Sequence, residues 1–150
     1  MARNVIIAVD FSDTSQAAMR AGGALAKDLG AKVVLVHAFS APPRIPDPGR
    51  DHTPDPITAV RLEIEMDEAV ELSTKWADEL RGMGLEVETV ARPGGAHDVV
   101  LEEAHRHGAG LIVVGTHGWT GLKRFVMGSV AEAIVRGAET PVLVVPAPAT

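Results

Sequence analysis

Apolar residues fall along this chain in two alternating rhythms. Val5-Ile-Ile-Ala-Val9, Lys32-Val-Val-Leu-Val-His-Ala38, Leu111-Ile-Val-Val114 and Pro141-Val-Leu-Val-Val145 are short continuous runs rich in β-branched residues, the pattern of strands covered on both faces in a parallel sheet. Gly84-Leu-Glu-Val-Glu-Thr-Val-Ala-Arg92 alternates instead, which predicts a half-exposed strand near a sheet edge. Between these runs the spacing becomes helical. Asp13 with Gln16 reads as a capping box opening a helix of about four turns, with Ala17, Ala18, Ala21, Ala24, Leu25 and Leu29 as its inner face and Gly30 as its C-cap. A second helix spans Ile57 to about Gly82, burying Leu62, Met66, Ala69, Ser73, Trp76, Ala77, Leu80 and Met83. A third runs from about Ala96 to His107 on Val100, Leu101 and Ala104, with Gly108 as its cap. The fourth opens at a Ser129/Glu132 capping box, turns Val130, Ala133, Ile134 and Gly137 inward and ends near Ala138.

Five strands alternating with four helices predict an α/β fold, a doubly wound five-stranded parallel sheet, in which the first β-α-β unit is right-handed. Phe39 to Pro56 breaks the rhythm with prolines at 42, 43, 46, 48, 54 and 56 and reads as a loop at the carboxyl end of the second strand, where open α/β sheets bind ligands.

Composition narrows the function classes. A chain of 150 residues suits one domain, 1–150, and needs no staples. Cysteine is absent, which excludes disulfides, thiolate metal sites and cysteine nucleophiles. The start, Met-Ala-Arg-Asn, runs straight into an apolar run too short for a signal-peptide core, and no run reaches the ~20 residues of a membrane span, so a soluble cytoplasmic protein is expected. A net charge of -6 with mixed signs argues against a nucleic-acid binder, and three Phe, two Trp and no Tyr offer little surface for stacking bases.

The chemistry concentrates in Gly115-Thr-His-Gly118-Trp-Thr-Gly121-Leu-Lys-Arg-Phe-Val-Met-Gly128-Ser129. Its glycines allow close backbone approach, hydroxyls stand at Thr116, Thr120 and Ser129, and its last glycine abuts a helix N-terminus, so it can hold an anion with backbone N–H groups. The first strand ends at Asp10, the second at His37-Ala38-Phe39 and the fourth at Gly115, all at one end of the sheet. Asp10 reads equally as an acceptor toward a ribose hydroxyl or a cation and as a carboxylate bonded to nearby backbone, with the capping job left to Asp13. Ser129 reads as an N-cap. Lys123, Arg124, His117 and Trp119 receive no catalytic role, and the histidines lack metal-ligand spacing. The loop is not a Walker-type G-x-x-x-x-G-K-[ST], and no G-x-G-x-x-G follows the first strand. A receiver domain would need a phospho-acceptor Asp after the third strand, which ends at Ala91-Arg92, and a flavodoxin would need its hydroxyl-rich loop after the first.

With Gly115, Gly118, Gly128 and Ser129 in the spacing G-x2-G-x9-G-[ST], together with Val-Asp-Phe-Ser, Val-Leu-Val-His, Val-Val-Gly-Thr-His-Gly and Pro-Val-Leu-Val-Val, the whole chain resembles the small ATP-binding universal stress proteins. The resemblance implies a Rossmann-like, nucleotide-binding alpha-hydrolase-like fold. It puts Asp10 and Gly115 near a ribose, the backbone of His37, Ala38 and Phe39 at the adenine, and Gly118, Gly128, Ser129 and Val130 around the phosphates, with Thr116 in the same loop. It further implies Mg²⁺ or Mn²⁺ bridging the phosphates, and a homodimer formed by antiparallel pairing of the fifth strand, Val142 to Val145. The expected function is nucleotide-dependent regulation in a stress response through protein partners. A slow ATPase with Asp10 holding a metal ion, and an interaction module that binds no nucleotide, are the alternatives.

Overall fold

The computed structural model describes residues 3–40, 49, 55–116 and 127–147. In chain order the elements are β1 (Asn4–Ala8), α1 (Asp13–Leu29), β2 (Lys32–Phe39), α2 (Pro56–Gly82), β3 (Val87–Pro93), α3 (Ala96–Arg106), β4 (Ala109–Gly115), α4 (Ser129–Gly137) and β5 (Val142–Val145). The five strands form one parallel sheet in the order β3-β2-β1-β4-β5. Ile7 of β1 stands level with Leu35 on one side and Val113 on the other.

Period-two alternation divides the apolar strand residues between two cores. Val5, Ile7, Val33, Leu35 and Val113 pack under α1 and α2 with Ala18, Met19, Ala26, Trp76, Ala77 and Leu80. Ile6, Ala8, Val34, Val36, Ile112 and Val114 pack under α3 and α4 with Val99, Val100, Ala104, Ala131 and Ile134. The sheet is doubly wound, as the sequence predicts, and the alternating segment is an edge strand, β3.

The helix faces depart from expectation. The buried side of α1 is Ala18, Met19, Gly22, Gly23 and Ala26, whereas Ala21 and Ala24 are exposed and Leu29 faces solvent. Close approach explains this rotation. A β-carbon on Gly22 would lie 3.0 Å from Ile7 Cδ1, and one on Gly23 would lie 2.6 Å from Leu80 Cδ2, so α1 seats its two glycines where the sheet and α2 come nearest. In α4 the buried residues are Ala131 and Ile134, and Val130 is exposed. In α2 nothing before Ala69 is buried, and Met66 is largely exposed.

The caps differ too. Ser12, not Asp13, caps α1, its hydroxyl accepting the Ser15 N–H at 3.2 Å. Gly128, not Ser129, is the N-cap of α4: its carbonyl accepts the Glu132 N–H at 3.0 Å, and no side chain among the described residues caps that helix. Asp55 caps α2 just before Pro56 at the first helical position, where a missing N–H is harmless. Its carboxylate accepts from the Thr58 hydroxyl at 2.5 Å and from the Thr58 and Ile57 amides at 3.0 and 3.1 Å. These bonds, the Thr58 hydroxyl first, lower the Asp55 pKa. The cap is therefore at full strength above the ordinary carboxyl range and is lost as pH falls through the lower folded value.

Among the described residues one charged side chain lies fully inside. Glu103 of α3 has 0 % exposure and accepts from Arg92 Nη1 at 2.7 Å, with His107 Nε2 at 3.1 Å and Arg106 Nη1 at 3.5 Å. Arg92 also reaches Glu102 at 2.7 Å, and the Glu102 and Glu103 bonds, in that order, raise its pKa. The cluster ties the end of β3 to the body of α3 across the Gly94-Gly95 turn.

Candidate functional site

Strand order reverses between β1 and β4, where ligand crevices open in doubly wound sheets. The β1–α1 turn builds one wall. Asp10 Oδ1 accepts the Ser12 amide at 3.0 Å and the Ser12 hydroxyl at 2.5 Å, and the Asp10 amide donates to Ser15 Oγ at 3.0 Å. Asp10 thus holds the turn itself, a job that the sequence reading gives to Asp13. Phe11, between them, has φ +64°, a conformation that costs a non-glycine residue about 1–2 kcal/mol. Its ring is wedged between His37, with centroids 4.5 Å apart, and the edge of Trp76 at 5.0 Å.

The ends of β4, β5 and α4 build the other wall. The Thr116 amide donates to Val145 O at 2.9 Å, and the Thr116 carbonyl accepts the Gly128 amide at 2.5 Å. This bond fixes the start of α4 beside the end of β4. The α3 and α4 N-caps are glycines, Gly95 and Gly128, and among the described residues neither helix has a side-chain cap. Their first amides remain as donors with the positive end of each helix dipole behind them.

These walls enclose a cavity of about 290 Å³ lined by Ala8, Val9, Asp10, Ser15, Val36, Ala38, Ala96, Val100, Val114, Gly115, Thr116, Gly128, Ser129, Val130 and Ala131. Its volume is near the lower bound, ~300 Å³, of small-molecule sites, and its chemistry is theirs: apolar walls with a few convergent polar groups. Of the residues singled out from sequence, the structure brings Asp10, Ala38, Gly115, Thr116, Gly128, Ser129 and Val130 together here. His37 and Phe39 do not line the cavity. Alternation along β2 sends Val36 and Ala38 to the cavity face and residues 37 and 39 to the α1/α2 face. His37 instead supports the wall from behind: its Nδ1–H donates to Val9 O at 2.8 Å, a carbonyl being able only to accept. Gly118, with His117, Trp119, Thr120, Gly121, Lys123 and Arg124, lies outside the described residues.

Val9, Ser15, Ala96, Val100 and Ala131 are lining residues that the sequence reading misses. The Gly94-Gly95 pair before a helix without a capping side chain was the available signal for Ala96, matching Gly128 before α4. Among the described residues no group of three or more His, Asp or Glu side chains is placed to hold a metal ion.

Residues 1–146 match the model of the Universal stress protein family. Universal stress protein MJ0531 of Methanocaldococcus jannaschii is 32% identical over 146 residues, covering 97% of this chain and 83% of that protein. Among solved structures, MJ0577 of the same organism superposes with a TM-score of 0.84 at 26% identity, over 100% of this chain and 99% of that one. A universal stress protein from Archaeoglobus fulgidus in complex with dAMP gives a TM-score of 0.65 at 26% identity, over 97% and 98% of the two chains.

Proposed function

We propose, since this chain belongs to the universal stress protein family, that it is an adenine-nucleotide-binding regulator, one cytoplasmic domain in which ATP in the β1–β4 cavity serves as a signal to protein partners. The observation that carries this reading is the pairing of two helix N-termini without side-chain caps, those of α3 and α4, with one apolar-walled cavity at the switch point of the sheet. Free N–H groups and helix dipoles favour phosphate. The apolar side formed by Val36, Ala38, Val100 and Val114 favours a planar base. The dAMP complex of the Archaeoglobus relative supports an adenine ligand in this fold.

In this reading the amides of Ser129 and Val130 and the Ser129 hydroxyl take the phosphates, with Gly128 providing close approach and Gly118 completing the loop. Asp10 accepts from the ribose, beside Gly115 and Thr116. His37 and Phe39 act through the backbone of β2 and through the support of Val9. A Mg²⁺ or Mn²⁺ ion bound with ATP finds one carboxylate among the described lining residues, Asp10, and is held chiefly by phosphate oxygens, the usual mode for Mg²⁺ with nucleotides.

Ser129→Ala separates binding from stability. Its hydroxyl caps nothing, so the variant is expected to unfold within about 0.5 kcal/mol of the parent. A hydrogen bond to a charged group contributes ~1.5 kcal/mol or more, so ATP affinity is expected to fall about tenfold. Titration calorimetry with matched thermal melts checks both. Undiminished affinity overturns the phosphate assignment.

The proposal includes a homodimer in which β5 pairs antiparallel with its twin, because β5 is a sheet edge of four apolar residues, Val142 to Val145, each only half-buried. Sedimentation in dilute solution is expected to give a dimer, and a strict monomer removes this part of the proposal.

A further inference from the structure

α2 carries two apolar faces, and the fold uses one. Ala69, Ser73, Trp76, Ala77 and Leu80 pack on the sheet side. Ile57, Val60 and Ile64 recur at i, i+3 and i+7, which sets them in one stripe about 10 Å long on the opposite side of the helix. They are 82 %, 55 % and 54 % exposed. The helix is formed at this end, with its first amides held by Asp55.

The surrounding charge states what this stripe suits. From Ile57 to Glu71 there are five carboxylates, at Glu63, Glu65, Asp67, Glu68 and Glu71, and one base, Arg61. Arg61 is paired with Glu65 at 3.5 Å. Glu63, Asp67, Glu68 and Glu71 have no ion-pair partner among the described residues. Glu68 and Glu71 continue the line of the stripe, and Glu63 and Asp67 flank it on one side. An apolar stripe bordered by unneutralised carboxylates complements an amphipathic helix with basic flanks. It repels an anionic bilayer and nucleic acid, and a second copy would bring further carboxylates to it.

We propose that the exposed side of the first half of α2 is a docking face for a basic amphipathic helix of a partner protein, anchored on Ile57, Val60 and Ile64 and oriented by Glu68 and Glu71. α2 packs over β2 and β3, and β3 is the sheet edge opposite β5, so the face stays open when β5 is covered. The inference does not depend on what fills the cavity. Three side chains make a small anchor, and the contact is transient.

The test uses a fluorescein-labelled synthetic helix of about twenty residues with leucines at i, i+3, i+4 and i+7 and lysines on both flanks, titrated with the full chain and read by anisotropy. A second helix carries glutamates in place of the lysines. Micromolar binding of the lysine helix, weakened by salt, is expected. It should fall at least tenfold in Ile57→Ser/Ile64→Ser, and Glu68→Lys/Glu71→Lys should shift the preference toward the glutamate helix. Melting temperatures of both variants should match the parent, since these side chains are exposed. The proposal is overturned by no binding, by equal binding of both helices, or by binding that survives Ile57→Ser/Ile64→Ser. Self-association of the parent that this double substitution abolishes would assign the face to a second copy. Sedimentation with anionic vesicles, abolished by the same substitution, would assign it to a membrane.

Discussion

Gly115→Val is expected to lower ATP affinity by about a hundredfold and to cost roughly 1–3 kcal/mol of stability, the range of overpacked sites. A β-carbon at Gly115 would lie 2.8 Å from Thr14 Cγ2, 3.2 Å from Thr14 O and 3.3 Å from the Thr14 carbonyl carbon. Two of those atoms are backbone in the first turn of α1, so no rotamer change relieves the contact. That turn must move away from β4, and Asp10 and Ser15 move with it. Losing two hydrogen bonds to charged groups at ~1.5 kcal/mol each gives the hundredfold figure. Urea unfolding and nucleotide titration measure both effects. Gly23→Ala is the control, because its β-carbon would strike Leu80 Cδ2 at 2.6 Å between α1 and α2, and neither Gly23 nor Leu80 lines the cavity. It should destabilise and leave affinity intact. Equal loss of affinity in both would mean that general loosening, not the cavity wall, governs binding.

Glu103→Ala is expected to be the more destabilising change, by about 3 kcal/mol, the cost of breaking a buried ion pair. For a chain of this size that is a fall in Tm of roughly 6–12 °C. The carboxylate is fully buried, and its removal strips Arg92 and His107 of their shared partner. Glu102→Ala removes a bond of equal length to the same guanidinium, yet the Glu102 side chain is 61% exposed. Exposed pairs contribute less than about 1 kcal/mol, so Glu102→Ala should melt close to the parent. Equal melting temperatures for the two variants would show that burial is not what makes Glu103 matter.

Strand positions were the most legible part of this sequence, since runs such as Val33 to Val36 and Ile112 to Val114 are apolar on both faces because both faces are covered. Helix faces were less so. Gly22 and Gly23 carry no hydrophobic signal, yet they mark where α1 touches the sheet and α2, so the inner face drawn through Ala21, Ala24 and Leu29 came out rotated. Glu103 shares a helical face with Val100, Ala104 and His107 at spacings of three and four, but a glutamate at such a position reads as solvent-facing until Arg92 is seen across the turn. The two misassigned caps have a common cause. Ser12 and Asp13, like Gly128 and Ser129, are adjacent residues that can each open a helix, and the choice is made by their contacts, Asp10 Oδ1 on the Ser12 amide and hydroxyl in the first pair and the Gly128 amide on Thr116 O in the second.

Part of the cavity was legible in residues that chemistry or spacing marked. Asp10, Gly115, Thr116, Gly128 and Ser129 carry a charge, a hydroxyl or a glycine at a strand or helix end, and all line it. Val9, Val100 and Ala131 are ordinary apolar residues locally, and only strand order gathers them. His37 drew attention as the polar residue of an apolar strand, but its even spacing from Val33 and Leu35 already set it on the α1/α2 face.

Thermal melting with increasing ATP shows whether an adenine nucleotide occupies this cavity. At about a hundred times Kd a ligand that binds only the native state adds ~2.7 kcal/mol, which for a chain of this size raises Tm by roughly 5–10 °C. That rise is expected, with a much smaller one in Gly115→Val. A melting temperature that does not move with ATP up to about 5 mM, several times the Kd of even a weak ~1 mM site, would contradict it.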